Sequence, residues 1–154
     1  MKKLFLLTFV GFLLLGCTGQ KKGTFLESYT SQNTHEETVD KLKKLITNKK
    51  LTFFETINHK ANAVAVKMEL KPETVVVFGN PKMGTVLMKC NPSMGLDLPL
   101  RILITTNYEG ITSLTFTNPE YWSLKHNIKD KNCLAILNKA KIALQNLSDE
   151  ASKK

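Results

Sequence analysis

The sequence is short of several features that would name a function. It has three histidines, three cysteines and one tryptophan among 154 residues. No two cysteines stand in C-x-x-C spacing, so a redox motif of that kind is absent, as is a C-x-x-C-H haem attachment. No P-loop, dinucleotide fingerprint, nucleophile elbow or zinc-protease helix occurs. The serines lack a recognisable triad context, and no local spacing of ligands points to a metal. No cofactor is expected. No apolar run reaches the about 20 residues that a membrane-spanning helix needs. There are no internal repeats and no sign of a second domain, and the length suits one. Acidic residues are scarce, 13 against 22 basic ones, for a formal charge of +9. A basic surface favours anionic neighbours without choosing among them.

What is present begins at the N-terminus. Met1-Lys2-Lys3 is a short positive start, and Leu4 to Leu15 is an apolar run broken by Thr8 and Gly11. This has the length of a signal-peptide core. It ends in Leu14-Leu15-Gly16-Cys17. The pattern resembles the bacterial lipobox, which implies cleavage before Cys17 and acylation of its thiol and amino group. Several chains anchor stably, because each buried methylene contributes about 0.8 kcal/mol. Residues 1–16 are thus expected to be a lipoprotein signal peptide and 17–24 a polar tether. Loss of Lys2 and Lys3 leaves a charge of about +7. The expected place is the cell envelope, lipid-anchored, and the outer membrane facing the periplasm if the source is Gram-negative. Thr18 follows Cys17, so no inner-membrane retention signal is evident. Export disfavours nucleic acid as a partner despite the charge. Cys90 and Cys133 could pair in an oxidising compartment. Their unrelated contexts favour two buried free thiols instead.

The remaining residues, 25–147, read as one folded domain, with 148–154 as a flexible tail. Residues 25–30 alternate weakly and suggest a strand. Thr34 and Glu37 fit a capping box, and Val39, Leu42, Leu45 and Ile46 recur at helical spacing, predicting a helix over 34–49. His35, in its first turn, is expected to be exposed. Leu51 to Asn58 reads as a strand, and 61–70 is ambiguous between strand and helix. Thr74 to Phe78 is a buried central strand. Leu100 to Thr106 and Ile111 to Thr117 form two strands joined by a hairpin-like connection. A short helix follows Asn118-Pro119. Asp130 caps a last helix, with Leu134, Leu137, Ala140, Ala143, Leu144 and Leu147 turned inward. The fold class is α+β: a single small domain, a mostly antiparallel sheet with helices on one face.

Between the central strand and the hairpin lies FGNPKMGTVLMKCNPSMGLDLPLR, residues 78–101. Asn is a favoured N-cap and Pro a favoured first helical residue, so a helix begins at Pro81 and runs to about Met88. Its N-terminal amides with Lys82 outline an anion site; a plain capped helix explains the same residues and is commoner. Asn80, Lys82, Thr85 and Arg101 are the candidate ligand-binding set. Asp97 stands between two leucines. A structural ion pair, with Arg101 or Lys82 as partner, or a backbone-capping role is favoured over a general acid or base. His59 and His126 end predicted elements. With Asp97 they are the candidate catalytic residues, should they converge. Tyr121 and Trp122 are expected to pack in the core or at a dimer interface.

Several of these residues together resemble the bacterial domain-of-unknown-function 302 family. The carriers are Phe78-Gly79-Asn80-Pro81-Lys82, Gly84-Thr85, Leu87-Met88 and Gly95-Leu96-Asp97-Leu98-Pro99-Leu100, with Pro119-x-Tyr121 and His126 later and His59 with Asn62-Ala63 earlier. The resemblance covers roughly residues 34–145. It implies a compact α+β fold, TATA-binding-protein-like in outline, with self-association as a homodimer. It implies no reaction. The resulting expectation is a membrane-anchored envelope lipoprotein, held through acylated Cys17, that binds an anionic or amphipathic small ligand or a protein partner without catalysis. The alternatives are an enzyme using Asp97 with His59 and His126, or a homodimeric assembly module.

Overall fold

The computed structural model describes residues 25–154; the expected signal peptide and the whole tether, with Cys17, lie outside the described residues. Five strands form one antiparallel sheet in the order β1-β5-β4-β3-β2. They are β1 (Leu26–Thr30), β2 (Thr52–Asn58), β3 (Glu73–Gly79), β4 (Leu100–Thr106) and β5 (Thr112–Thr117). The buried run Thr74–Phe78 supplies β3, and the hairpin β4-β5 lies beside it. Alternation decides the faces. Val76, Phe78, Ile102, Ile104, Leu114 and Phe116 point to one face and are buried. Val75, Leu103, Thr105, Ser113 and Thr115 point to the other and are half-buried.

Two long helices cover the apolar face. Helix α1 (His35–Asn48) has the capping box that Thr34 and Glu37 predict, and it buries Thr38, Leu42 and Ile46. Helix α5 (Lys131–Ser152) starts at Asp130, whose carboxylate accepts from the Cys133 amide. Leu42, Ile46, Leu137, Leu144 and Leu147 meet the sheet residues in one core. Burying each such side chain contributes about 1.5–3 kcal/mol. Shorter helices fill the connections: α2 (His59–Ala65), α3 (Pro81–Cys90) and α4 (Glu120–Lys125), with a 3-10 turn at Pro92–Leu96. Among the described residues no helix is long and apolar enough to cross a membrane.

Four expectations need correction. Residues 148–152 are not a loose tail: α5 continues through them, and Ser148, Ala151 and Ser152 are buried. Asn33 Nδ2 donates to the Ala151 and Lys153 carbonyls and Gln32 N to Ser152 O, which ties this end to the β1-α1 loop. Leu134 is not inward; Cys133, Ile136 and Leu137 hold the core side of the first turns. His35 is buried, with Nε2 against Thr74 Oγ1 at 2.9 Å and Nδ1 against Thr106 Oγ1 at 3.4 Å. Polar threonines on the sheet face give a buried imidazole its partners. Finally, Cys90 and Cys133 are not free thiols but a disulfide, with Cα atoms 6.8 Å apart. The bond joins the last residue of α3 to the first turn of α5.

Candidate functional site

Two features occupy the end of the sheet where β3 finishes and β4 begins. One is an apolar cleft; the other is a chain of polar side chains beside it.

The cleft has a volume of about 530 Å³. Its walls come from five places. Leu51 precedes β2 and Phe54 lies in it, Gly79 and Leu100 stand at the ends of the central strands, α3 gives Met83, Gly84, Thr85, Leu87 and Met88, and α5 gives Ile136, Lys139 and Ala140. The segment Gly95, Leu98 and Pro99 closes another side, with a cis peptide bond between Leu98 and Pro99. Most of the wall therefore comes from the Gly- and Pro-dense stretch 78–101. The chain path follows from local chemistry. Asn80 Oδ1 accepts from Met83 N and Pro81 opens α3, which turns the chain sharply off β3. Asn91 and Pro92 repeat the device one element later, with Asn91 Oδ1 accepting from Ser93 N. Two glycines keep the cleft open. A Cβ on Gly84 would lie 3.7 Å from Leu98 Cδ1 and one on Gly95 3.6 Å from Met88 Sδ. These are ordinary contact distances, so side chains there would take up cleft space before colliding with anything.

Polar groups are few on these walls. Thr85 Oγ1 donates to the Pro81 carbonyl, and Asn80 is engaged as the cap. Among the described residues, Lys139 is the one cation of the lining. Of the candidate ligand-binding residues, Asn80 and Thr85 line the cleft. Lys82 is exposed on α3 outside it. Arg101 is also outside; it donates to the Leu96 carbonyl at 3.3 Å and borders a separate crevice of only about 30 Å³. Lys139 was missing from the expected set. It lies three residues after Ile136 on a predicted helix, so helical spacing alone puts it near the inward face.

The polar chain runs through Asp97 and His126. His126 Nε2 is hydrogen-bonded to Asp97 Oδ2, and His126 Nδ1 to Ser93 Oγ at 2.7 Å. Lys125 Nζ donates to Asp97 at 2.9–3.0 Å. Asn91 Nδ2 donates to the His126 carbonyl. The expected ion-pair partners of Asp97, Arg101 and Lys82, are thus replaced by Lys125 and His126. Burial pushes the Asp97 carboxyl up, but hydrogen bonds from His126 and Lys125, with the Lys125 charge, outweigh it and hold it below its ordinary value. His126 is 3% exposed and both ring nitrogens are engaged. Asp97 does not line the cleft; it borders the crevice of about 30 Å³. This arrangement fastens the 91–97 segment to the end of α4.

His59 does not join it. Asn58 pairs with Thr74, at the start of β3, whereas Leu100 pairs with Phe78 near its end. Four residues of strand put these places about 13 Å apart, beyond hydrogen-bond reach. The structure brings together two of the three candidate catalytic residues and leaves the third at the opposite end of the sheet.

Among the described residues, one cluster has metal-ligand chemistry. Cys90, Asp130 and Cys133 hold their ligand atoms within 4.8 Å of one another. Both sulfurs are spent on the disulfide, and Asp130 caps α5, so the set does not offer thiolates in this form.

Known proteins share this domain. "Fluoride-specific ion channel FluC 1" from Brucella suis and from Brucella abortus are each 30% identical over 111 residues, 72% of this chain. The chain spans less than half of these relatives, 44% and 41% of their lengths. A solved structure described as an uncharacterized conserved protein DUF302 from Bacillus stearothermophilus superposes with a TM-score of 0.75, over 84% of this chain and 99% of that one, at 15% identity. That likeness shows the fold. The model for "Domain of unknown function DUF302" matches residues 27–150, and the chain belongs to that family.

Proposed function

We propose that this is a lipid-anchored envelope protein whose domain holds an amphipathic small molecule in the cleft, without catalysis. The observation that carries the reading is the cleft itself: about 530 Å³, walled by aliphatic, thioether and aromatic groups, with a single cation, Lys139. Small-molecule sites are concave and mostly apolar, with volumes of about 300–1,000 Å³ and a few polar groups that fix orientation. The anchor rests on the leader, whose apolar run ends in Gly16-Cys17. The Cys90–Cys133 disulfide supports an oxidising compartment. The occurrence of a similar stretch within proteins named as ion channels supports a membrane setting.

Non-catalysis is supported by the commitment of the polar chain. A general base needs a lone pair facing a space that substrate can enter. Asp97 and His126 spend theirs on Lys125, Ser93 and each other.

The test is native mass spectrometry of the full chain purified from its own envelope. A non-covalent adduct, released on denaturation, is expected. An adduct-free protein that also fails to take up any amphiphile would overturn the ligand reading. Separately, Cys17→Ser should abolish lipid labelling and release the protein from membranes. Unchanged labelling and fractionation would defeat the anchor.

A further inference from the structure

We infer that the cleft takes the anion of a single-chain fatty acid, drawn from the bilayer in which Cys17 is anchored. The inference rests on the ligand and anchor readings above and adds the ligand's class and its source.

The first support is chemical. A fatty acid has a long apolar body and one monoanionic end. The cleft has long apolar walls and one cation, Lys139. No ion pair or hydrogen bond engages its ammonium among the described residues. A headgroup carrying phosphate or several charges would call for more donors than one lysine and the Asn80 amide. Each chain methylene buried contributes about 0.8 kcal/mol, so the apolar body supplies most of the affinity and the carboxylate fixes direction.

The second support is where the chain enters. Leu26 pairs with Thr117, the last residue of β5. Phe78, near the end of β3, pairs with Leu100, the first residue of β4. In an antiparallel sheet these all lie at one end, which is the cleft end. From β1 to β2 is four strand spacings, about 19 Å. Cys17 to Thr24 is eight residues, a reach of at most about 28 Å. An acylated Cys17 therefore holds the start of β1 within about 28 Å of its own membrane, close enough for the cleft end to reach the surface.

The third support is what that end exposes. Phe25, Leu26, Leu96 and Leu124 are 68%, 59%, 72% and 80% exposed. Leu26 begins β1, Leu96 precedes β4 and Leu124 follows β5, so the four sit around the same end. An apolar fringe there suits contact with a lipid surface from which a single chain can pass into the cleft.

The experiment uses the full acylated chain, extracted from its envelope and analysed by native mass spectrometry with identification of the released adduct. It is compared with Gly84→Leu and Lys139→Glu. The expected adduct is a fatty acid. Gly84→Leu should remove it while circular dichroism and the melting temperature stay at wild-type values. Should that variant fail to fold, Gly95→Leu narrows the cleft from another wall. Lys139→Glu should lower occupancy about fivefold or more, as loss of roughly one kcal/mol implies, and Lys139→Arg should restore it. A different adduct, such as a phospholipid, would overturn the fatty acid and leave the small-ligand reading standing. No adduct at all, with no uptake of an added amphiphile, would overturn both. An adduct that survives both glycine variants would place binding outside the cleft and overturn the inference. A photo-reactive fatty acid supplied to the cells should cross-link to α3 or α5. Occupation of the cleft by the acyl chains of Cys17 itself would also overturn it.

Discussion

The two ends of the sheet both expose apolar side chains, but they are built in opposite ways. At the cleft end, α3, the 92–96 turn, α4 and α5 converge on the strand ends and enclose space. The ties there are a disulfide, the Asp97–His126–Ser93 chain and the buried side chains of Leu87, Met94 and Trp122. At the far end the β2-β3 connection carries α2, which buries no residue at all. Val64, Val66 and Met68 stand out into solvent, as does Tyr108 on the β4-β5 hairpin, with Lys71 over its ring. Just past α2, Lys67 has φ of 59°, a left-handed conformation that favours glycine. Exposed apolar surface alone therefore does not mark a site. What distinguishes the cleft end is enclosure, and enclosure needs several elements held together against an opening that packing would otherwise close. The far end holds nothing apart.

The contrast is most strongly tested by removing the covalent tie. The Cys90–Cys133 bond closes a separation of 43 residues. Loop closure of that length is worth about 4 kcal/mol in the chain-entropy view. The double variant Cys90→Ser, Cys133→Ser is expected to lose about 2–4 kcal/mol in urea unfolding. Hydrogen exchange should rise in α3 and the first turns of α5 and stay the same in α2. A uniform rise along the chain would show that the bond does not act on the cleft end in particular.

Truncation of packed side chains comes next. Leu87 is the one buried residue of α3, 2% exposed. Leu87→Ala should cost about 2–5 kcal/mol. Val64→Ala, on α2, should change stability by less than about 0.5 kcal/mol. Equal costs would erase the difference between the ends.

The polar latch has a smaller share. Asp97→Ala leaves the buried His126 Nε2 without its partner, for an expected loss of about 1–3 kcal/mol. Its pH dependence has a definite sign. The folded Asp97 carboxyl lies below its ordinary value, so its stabilisation is full above about pH 4 and is lost as pH falls from there toward the folded value. Urea titrations of Asp97→Asn should show a flatter acid limb in that window. Glu37 and Glu120 are also held low, Glu37 by the Thr34 amide and hydroxyl and Glu120 by Lys141, so some acid slope remains.

Much of this fold was legible in the chain, and the reasons separate hits from misses. Thr34, Asn80, Asp130 and Pro81 act on the next three or four residues, so their caps are readable where they stand. The apolar run 74–78 and the hairpin pair have period and turn chemistry of their own. The errors involve partners far away in sequence. Cys90 meets Cys133 only because α3 ends where α5 begins, and Asp97 meets Lys125 and His126 across 28 and 29 residues. The 148–152 segment looks polar enough to fray, but Asn33 and Gln32 bind its carbonyls from the other end of the domain. The cleft was the hardest to foresee. Residues 78–101 show their junctions in their Gly and Pro content, but a space between elements has no local sequence. Lys139 entered it from a helix read only for its apolar residues.

His35 offers the subtlest comparison, because it lies under the sheet toward the far end and ties α1 to β3 and β4. Burial lowers its pKa below the ordinary 6.5. Glu36 opposes that shift and Lys60 adds to it. The sign is opposite in kind to a histidine in an ion pair. The unfolded chain protonates near 6.5 and the folded imidazole only at lower pH. Between those values the unfolded state binds more protons, so stability rises with pH across the window. It is lost as pH falls from about 6.5 toward the folded value, and falls no further from this cause below it. Unfolding midpoints measured from pH 8 to pH 5 should drop in the wild type and change less in His35→Gln, whose amide can still reach the threonine hydroxyls. Asp97→Asn should leave this window untouched, since its own begins near pH 4. If instead Asp97→Asn removed the slope near pH 6, the titration would belong to the latch at the cleft end. The two ends would then answer to pH as one unit.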